Sequence, residues 1–227
     1  MTAVLGLSPM VRGPFGLLVR SCRAESNRRV LPADTDLSTL LFENPARLDT
    51  RNLPITPLER FETMGLSNHA VDLSKWRLTV GGAVANPLSL RYDQLRRFPV
   101  LERSVLLICP GVFAFHARWK GLCLESLLRQ AGGDDRATHV DVRGPTGPYA
   151  KLQRFPMRAV RSGKVFLAYA VNGRTLPQRH GYPLRAVSED DVGSEWIKYA
   201  DTVEAVIVEN APRDDRPPGN GPPVFVP

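Results

Sequence analysis

One apolar run, Val105-Leu106-Leu107-Ile108-Cys109, has no polar alternation and stops abruptly at Pro110-Gly111. A short continuous apolar run of this kind reads as a strand covered on both faces, and Pro-Gly ends it. Such a strand sets its last side chain, the Cys109 thiol, at the rim of a sheet. Two readings of that thiol stand side by side. Free cysteine is among the most buried residue types and usually only packs. A thiolate at a sheet rim also suits a soft or high-valent metal.

The surrounding chain reads as mixed. Trp76–Val80 alternates and meets Gly81-Gly82 as a strand entering a turn, and Ser89 precedes a short helical stretch through Leu95. Leu124–Ala131 reads as a helix closed by Gly132-Gly133, and Pro156–Val160 as a helical turn. His139–Val142, Val165–Val171, Leu184–Val187 and Val203–Val208 read as strands, with Asn172-Gly173 a tight turn after the second. Short helices dispersed among many strands, without a βαβ rhythm, predict an α+β fold. Residues 51–210 form one continuous domain in this reading. Residues 1–50 lack sustained periodicity and read as an N-terminal arm or loosely packed extension, and the Pro/Gly-rich residues 211–227 as a tail.

The chain has 227 residues, 43% of them hydrophobic, which is enough to bury a core without disulfide staples. Its cysteines, Cys22, Cys109 and Cys123, are too few and odd in number for a disulfide framework. The net charge is +7, but the arginines are scattered and only 7% of residues are aromatic, so nucleic-acid binding is not expected. Scattered arginines suit an anionic ligand or a plain basic surface. No run approaches the roughly 20 apolar residues of a membrane span. Met1–Val19 is interrupted by Pro9, Arg12 and Pro14, and no apolar stretch follows Arg28-Arg29. Neither reads as an export signal, and a cytoplasmic location is the expectation from the residues.

Phosphate loops, dinucleotide fingerprints, nucleophile elbows and Cys-x-x-Cys pairs are absent from the sequence. The histidines lack a zinc-ligand spacing, and His116, seven residues after Cys109, leaves a thiol–imidazole pair conceivable. In His180-Gly181-Tyr182-Pro183-Leu184-Arg185, a flexible Gly and a rigid Pro bracket an imidazole and a guanidinium five residues apart. The arginine there would fork onto an oxyanion, or be a solvated loop residue. Gly193-Ser194 then permits close backbone approach to a ligand, with Lys198 adding charge.

Taken in order, these segments resemble the molybdopterin-binding domain of the sulfite oxidase family. The resemblance is carried by Asn52–Pro57, Asn68-His69, Trp76–Gly82, Cys109, Arg118-Trp119-Lys120-Gly121-Leu122-Cys123-Leu124, Leu167–Gly173, His180–Arg185 and Trp196-Ile197-Lys198. It implies a sulfite oxidase-type molybdopterin-binding fold of mixed β-sheets with short helices. It implies a molybdenum–molybdopterin cofactor whose dithiolene needs one protein thiolate, Cys109. By the same matching, Asn68, His69, His180, Arg185, Trp196, Ile197 and Lys198 would bind the cofactor, and Tyr169 would sit at the metal and orient substrate. The implied chemistry is oxygen-atom transfer, with electrons exchanged with a separate haem or cytochrome partner.

The stretch after Cys109 departs from the family, whose cysteine is followed by Ala-Gly-Asn-Arg-Arg. Here Pro110-Gly111-Val112-Phe113-Ala114-Phe115 lacks the arginine pair that helps bind sulfite. Phe113 and Phe115 would make a more apolar pocket. That leaves the substrate open between a small oxyanion and an S- or N-oxide, and admits a non-catalytic pterin-binding module as the alternative. The compact form is similar to bacterial single-domain members, which places the periplasm beside the cytoplasm as a possible compartment.

Overall fold

The structure, a computed structural model, describes residues 28–147 and 150–209. Cys22, the Met1–Val19 segment and the Pro/Gly tail lie outside the described residues. In chain order the strands are β1 (Arg29–Val30), β2 (Leu48–Asp49), β3 (Leu78–Gly82), β4 (Leu88–Leu90), β5 (Val100–Cys109) and β6 (Phe113–Cys123). After these come β7 (His139–Arg143), β8 (Leu152–Pro156), β9 (Val165–Val171), β10 (Arg174–Thr175), β11 (Arg185–Ser188) and β12 (Thr202–Val206). The α-helices are short: α1 (Tyr92–Leu95), α2 (Leu124–Gln130) and α3 (Met157–Arg161).

Both faces of β5 are covered, which is why its sequence shows no polar alternation. Val105, Leu107 and Cys109 join a cluster with Phe113, Phe115, Trp119, Phe166 and Trp196. Leu106 and Ile108, pointing the other way, meet Leu31, Leu40, Leu48 and Leu53. The second cluster alters the reading of the N-terminal extension. From residue 28 onward it is firmly packed, not loose: Leu31, Leu40 and Leu48 are buried, and Arg28 forms ion pairs with Glu189 and Asp190. Leu31 lies in irregular chain, Leu40 in a single 3₁₀ turn and Leu48 in a two-residue strand, so no helical or strand period announces them.

Two five-stranded sheets make the frame. One runs β10-β9-β6-β5, with β11 also pairing β9; the other runs β4-β3-β12-β7-β8. The third and largest cluster lies between them and holds Val80, Leu122, Leu127, Val140, Phe155, Leu167 and Ile197. A register shift between Lys120 and Gly121 in the β6–β9 pairing skips Tyr169, a one-residue bulge in β9.

Three local expectations change. Ser89 does not start a helix: Leu88–Leu90 pairs antiparallel with β3, and the helix begins only at Tyr92. β6, an eleven-residue strand, had not been expected, because Arg118, Lys120 and Gly121 break its apolar pattern. Nor had β8, whose Leu152–Pro156 pairs with β7. The Asn172-Gly173 turn forms as read, with both residues at positive φ (49° and 75°). The Asn172 side chain adds two tethers: its Oδ1 accepts from the Arg118 N–H and its Nδ2 donates to Thr56 O, each at 2.9 Å.

Candidate functional site

Cys109 ends β5 directly across from Phe113, the first residue of β6. The Pro110-Gly111 turn between them is closed by a hydrogen bond from Val112 N–H to Cys109 O (3.0 Å). The thiol is thereby held on a rigid hairpin at the edge of a cavity of about 350 Å³. Leu107, Phe113 and Phe115 form an apolar wall. Lys151, Arg185, Trp196, Lys198 and Tyr199 line the cavity as well, and so do residues 62–66.

Arg185 opens β11 and is only 4% exposed. Its Nη1 donates to His180 O (3.0 Å). Its guanidinium carbon lies 5.6 Å from the Trp119 ring centre and 5.2 Å from that of Trp196. Burial lowers its pKa to about 10. Gly181 makes this loop possible: it sits at φ 109°, and a Cβ there would stand 3.0 Å from Lys198 Cα.

Lys198 gives its ammonium protons to Thr63 Oγ1 (2.5 Å), Met64 O (2.9 Å) and Leu66 O (3.0 Å). It thereby pins residues 63–66 as a strap along the cavity wall. Burial and then Arg185 lower its pKa to about 8. Lys151 donates to the carbonyls of Ser194 and Trp196, and burial, followed by Arg185, lowers its pKa too. Burial pushes the Cys109 thiol up, while Arg185, Lys198 and Lys151 pull it back toward the thiolate. Among the described residues none of these three cations makes an ion pair with a carboxylate.

His180 is buried behind Arg185. Arg179 Nε donates to its Nε2 (3.0 Å), so the neutral ring carries its proton on Nδ1. Burial, then Arg185, Arg179 and Lys198, lower its pKa to about 3. The Nδ1 proton has no acceptor, and neither do Arg185 Nε–H, Trp119 Nε1–H or the Tyr199 hydroxyl. Buried donors without acceptors are rare in native proteins and call for an acceptor from a ligand.

The sequence expectations divide here. Cys109, Arg185, Trp196 and Lys198 line one cavity, with His180 directly behind it. Phe113 and Phe115 supply the apolar wall, and Gly193 and Ser194 reach the cavity as well. Tyr169 does not come to it. Strand alternation on β9 sends Phe166 and Ala168 toward the Cys109 side and Tyr169 to the opposite core. Ile197, between Trp196 and Lys198, likewise faces that other core. Asn68 is exposed, and His69 packs edge-on against Tyr199 (ring centres 5.1 Å apart) without lining the cavity. His116 donates from Nδ1 to Leu53 O (3.2 Å) and belongs to the neighbouring cluster, not to a thiol–imidazole pair. Lys151 and Tyr199 are lining residues that sequence reasoning missed. Tyr199 adjoins the Trp196–Lys198 motif, a cue of position alone.

Comparison with known proteins bears directly on this cavity. The sequence model of the oxidoreductase molybdopterin binding domain matches residues 65–212. The chain belongs to this family. It is 34% identical to human mitochondrial sulfite oxidase over 188 residues, covering 69% of this chain and 34% of that protein. It is 30% identical to the protein-methionine-sulfoxide reductase catalytic subunit MsrP of Gluconobacter oxydans (strain 621H) over 138 residues, covering 54% of this chain and 44% of MsrP. The molybdopterin-binding domain seen here thus spans well under two thirds of these relatives. The crystal structure of the sulfane dehydrogenase SoxCD from Paracoccus pantotrophus shares the fold, with a TM-score of 0.56 and 24% identity over 60% of this chain and 39% of that one. The α+β, mixed-sheet architecture expected from the sequence is that of this family.

Proposed function

We propose that this chain is a molybdenum-dependent oxidoreductase that performs oxygen-atom transfer at a molybdenum–molybdopterin centre, with Cys109 as the protein thiolate ligand. One observation carries the reading. A single thiol lies in a cavity with three cations that, among the described residues, form no ion pair with a carboxylate, and with buried donors that have no acceptor. A polyanionic group with its own sulfur ligands fits that donor set; a protein-only metal cluster does not, since no group of three or more His, Cys, Asp or Glu side chains converges among the described residues.

When bound, the molybdenum centre supplies two-electron exchange of an oxygen atom with substrate. The chain's own residues hold, orient and tune it. Cys109 presents its sulfur from the rigid hairpin. Arg185 and Lys151 offset the charge of the anionic group, and Lys198 adds to the field while holding the strap. His180, neutral through the physiological range, offers its Nδ1–H as a donor without adding charge. Leu107, Phe113 and Phe115 keep water from one side of the thiol.

The apolar Phe113/Phe115 wall favours a substrate whose oxygen sits on a sulfur or nitrogen centre with apolar substituents, beside the small-oxyanion reading. The relatives named above divide the same way, as a sulfite oxidase and a protein-methionine-sulfoxide reductase. Electrons would pass between this domain and a separate haem or cytochrome partner. No helix among the described residues is long and apolar enough to cross a membrane.

The decisive test is metal and pterin analysis of protein made in a molybdopterin-competent host. One molybdenum per chain is expected, with a sulfur scatterer lost from its ligand shell in Cys109→Ser. Stoichiometric molybdenum with unaltered ligation in that variant would refute the role of Cys109. Reduced-viologen oxidation with S- or N-oxides, set against sulfite-dependent acceptor reduction, separates the two substrate classes. Bound pterin with no turnover in either assay would identify a non-catalytic module.

A further inference from the structure

We propose that the Tyr199 hydroxyl, together with Arg185 Nε–H, holds an anionic oxygen of the group bound beside Cys109. The inference deepens the reading above and depends on it for the identity of that group.

Tyr199 is 2% exposed and lines the cavity. Its hydroxyl proton has no acceptor in the fold, and neither has that of Arg185 Nε. The groups acting on the phenol oxygen are donors: the His69 backbone and Arg185 both favour its ionised form, while burial opposes them and raises its pKa. The oxygen therefore faces donors, and its proton lacks an acceptor. Arg185 Nε–H is in the same condition, and the two side chains line the same cavity. Two such buried donors are complementary to an oxygen acceptor, and with Arg185, Lys151 and Lys198 in the same lining an anionic oxygen is the one bound most strongly.

The backbone points the same way. Tyr199 adopts φ 55°, the left-handed region that a bulky L residue rarely occupies. Its N–H donates to Gly181 O (3.2 Å), which ties this turn to the His180–Arg185 loop. The His69 ring packs edge-on against the phenol and fixes its direction. A cavity-lining residue held in an unfavourable conformation, with a hydroxyl proton that lacks an acceptor, marks a site shaped for a ligand. The oxygen has two sources that share this chemistry: the cofactor, or an oxygen-bearing substrate.

Tyr199→Phe in the full chain tests the inference, because it removes only the hydroxyl. In cofactor-free protein, inorganic phosphate is the probe. The thermal midpoint without phosphate is expected to be unchanged or slightly higher, since an unsatisfied buried group has gone, and the phosphate-induced rise is expected to shrink. In loaded protein the loss is roughly ten- to hundredfold, the worth of one hydrogen bond to a charged group. If it appears as weaker retention of molybdenum and pterin on dialysis, the oxygen belongs to the cofactor. If retention is unchanged and KM for the oxygen-bearing substrate rises, it belongs to the substrate.

A lower midpoint in the phosphate-free variant would mean that the hydroxyl has a structural acceptor, and would overturn the inference. So would wild-type phosphate response, retention and kinetics together. Wild-type protein that answers to phosphate yet takes up no molybdenum would refute the proposed function and leave the Tyr199 inference standing.

Discussion

Arg185→Met should separate a residue that stabilises the fold from one held ready for an anion. The folded pKa falls from 12.5 to about 10, so the charged form is the disfavoured one in the fold, and the penalty is complete at any pH below about 10. That difference corresponds to about 3 kcal/mol, and almost complete burial leaves little solvent screening to reduce it. Methionine removes this penalty and still fills the space beside Trp119 and Trp196. It also strands the His180 carbonyl, at about 1–3 kcal/mol, and gives up two cation–π contacts of about 1 kcal/mol each. These contributions nearly cancel. The cofactor-free variant should therefore lie within about 2 kcal/mol of wild type, although truncating a buried, hydrogen-bonded side chain is ordinarily costly.

With the anionic group bound, the balance reverses. Each charge-assisted hydrogen bond lost costs about 1.5–3 kcal/mol, so the loaded variant should fall at least about 3 kcal/mol below loaded wild type. Urea unfolding of both proteins, with and without cofactor, reads the four states directly. Equal destabilisation of the loaded and cofactor-free forms would refute the reasoning. So would a cofactor-free loss above about 4 kcal/mol, since Arg185 would then be a structural residue with compensated charge.

Three further outcomes follow from the same geometry. His180 has a folded pKa of about 3 against 6.5 unfolded, so its contribution to stability is complete above pH 6.5 and is lost as the pH falls toward 3. His180→Gln should flatten this acid limb in pH-dependent urea titrations, by up to about 1.4 kcal/mol per pH unit inside the window. Gly121→Ala places a Cβ 1.9 Å from Leu167 O and 2.6 Å from Ala168 Cα, where β6 crosses to β9, and should cost roughly 3 kcal/mol or more in chemical denaturation. Lys198→Met removes the three hydrogen bonds that pin the strap, and limited proteolysis at Met64–Gly65 should run about tenfold faster with little change in global midpoint.

Much of the frame was legible in the residues. Val105–Cys109 is apolar at every position because both faces of β5 are buried, and Pro110-Gly111 marks the turn. Asn172-Gly173 and Gly132 punctuate the chain where their positive φ requires it. β6 was harder. Phe113, Phe115, Ala117 and Trp119 do show the period of a strand, but Arg118 and Lys120 alternate with them on the exposed side and Gly121 resembles a break. The glycine is there because β9 approaches too closely for a Cβ. The packed extension was not legible, because residues in turns carry no period to read.

Sequence by itself determined the strand-rich α+β character, the exposed end of a buried strand at Cys109, and the motif order that marks the family. Those features are local: they depend on side-chain alternation, turn chemistry and spacing along the chain. Only the tertiary structure decided which residues share a cavity. It turned Tyr169 and Ile197 into the opposite core, brought Lys151 and Tyr199 to Cys109, and gave the protons of Lys198 to the strap. The physical reason is that the face a side chain occupies depends on strand register and on the bulge in β9, and whether a buried donor finds an acceptor depends on what several distant segments place around it.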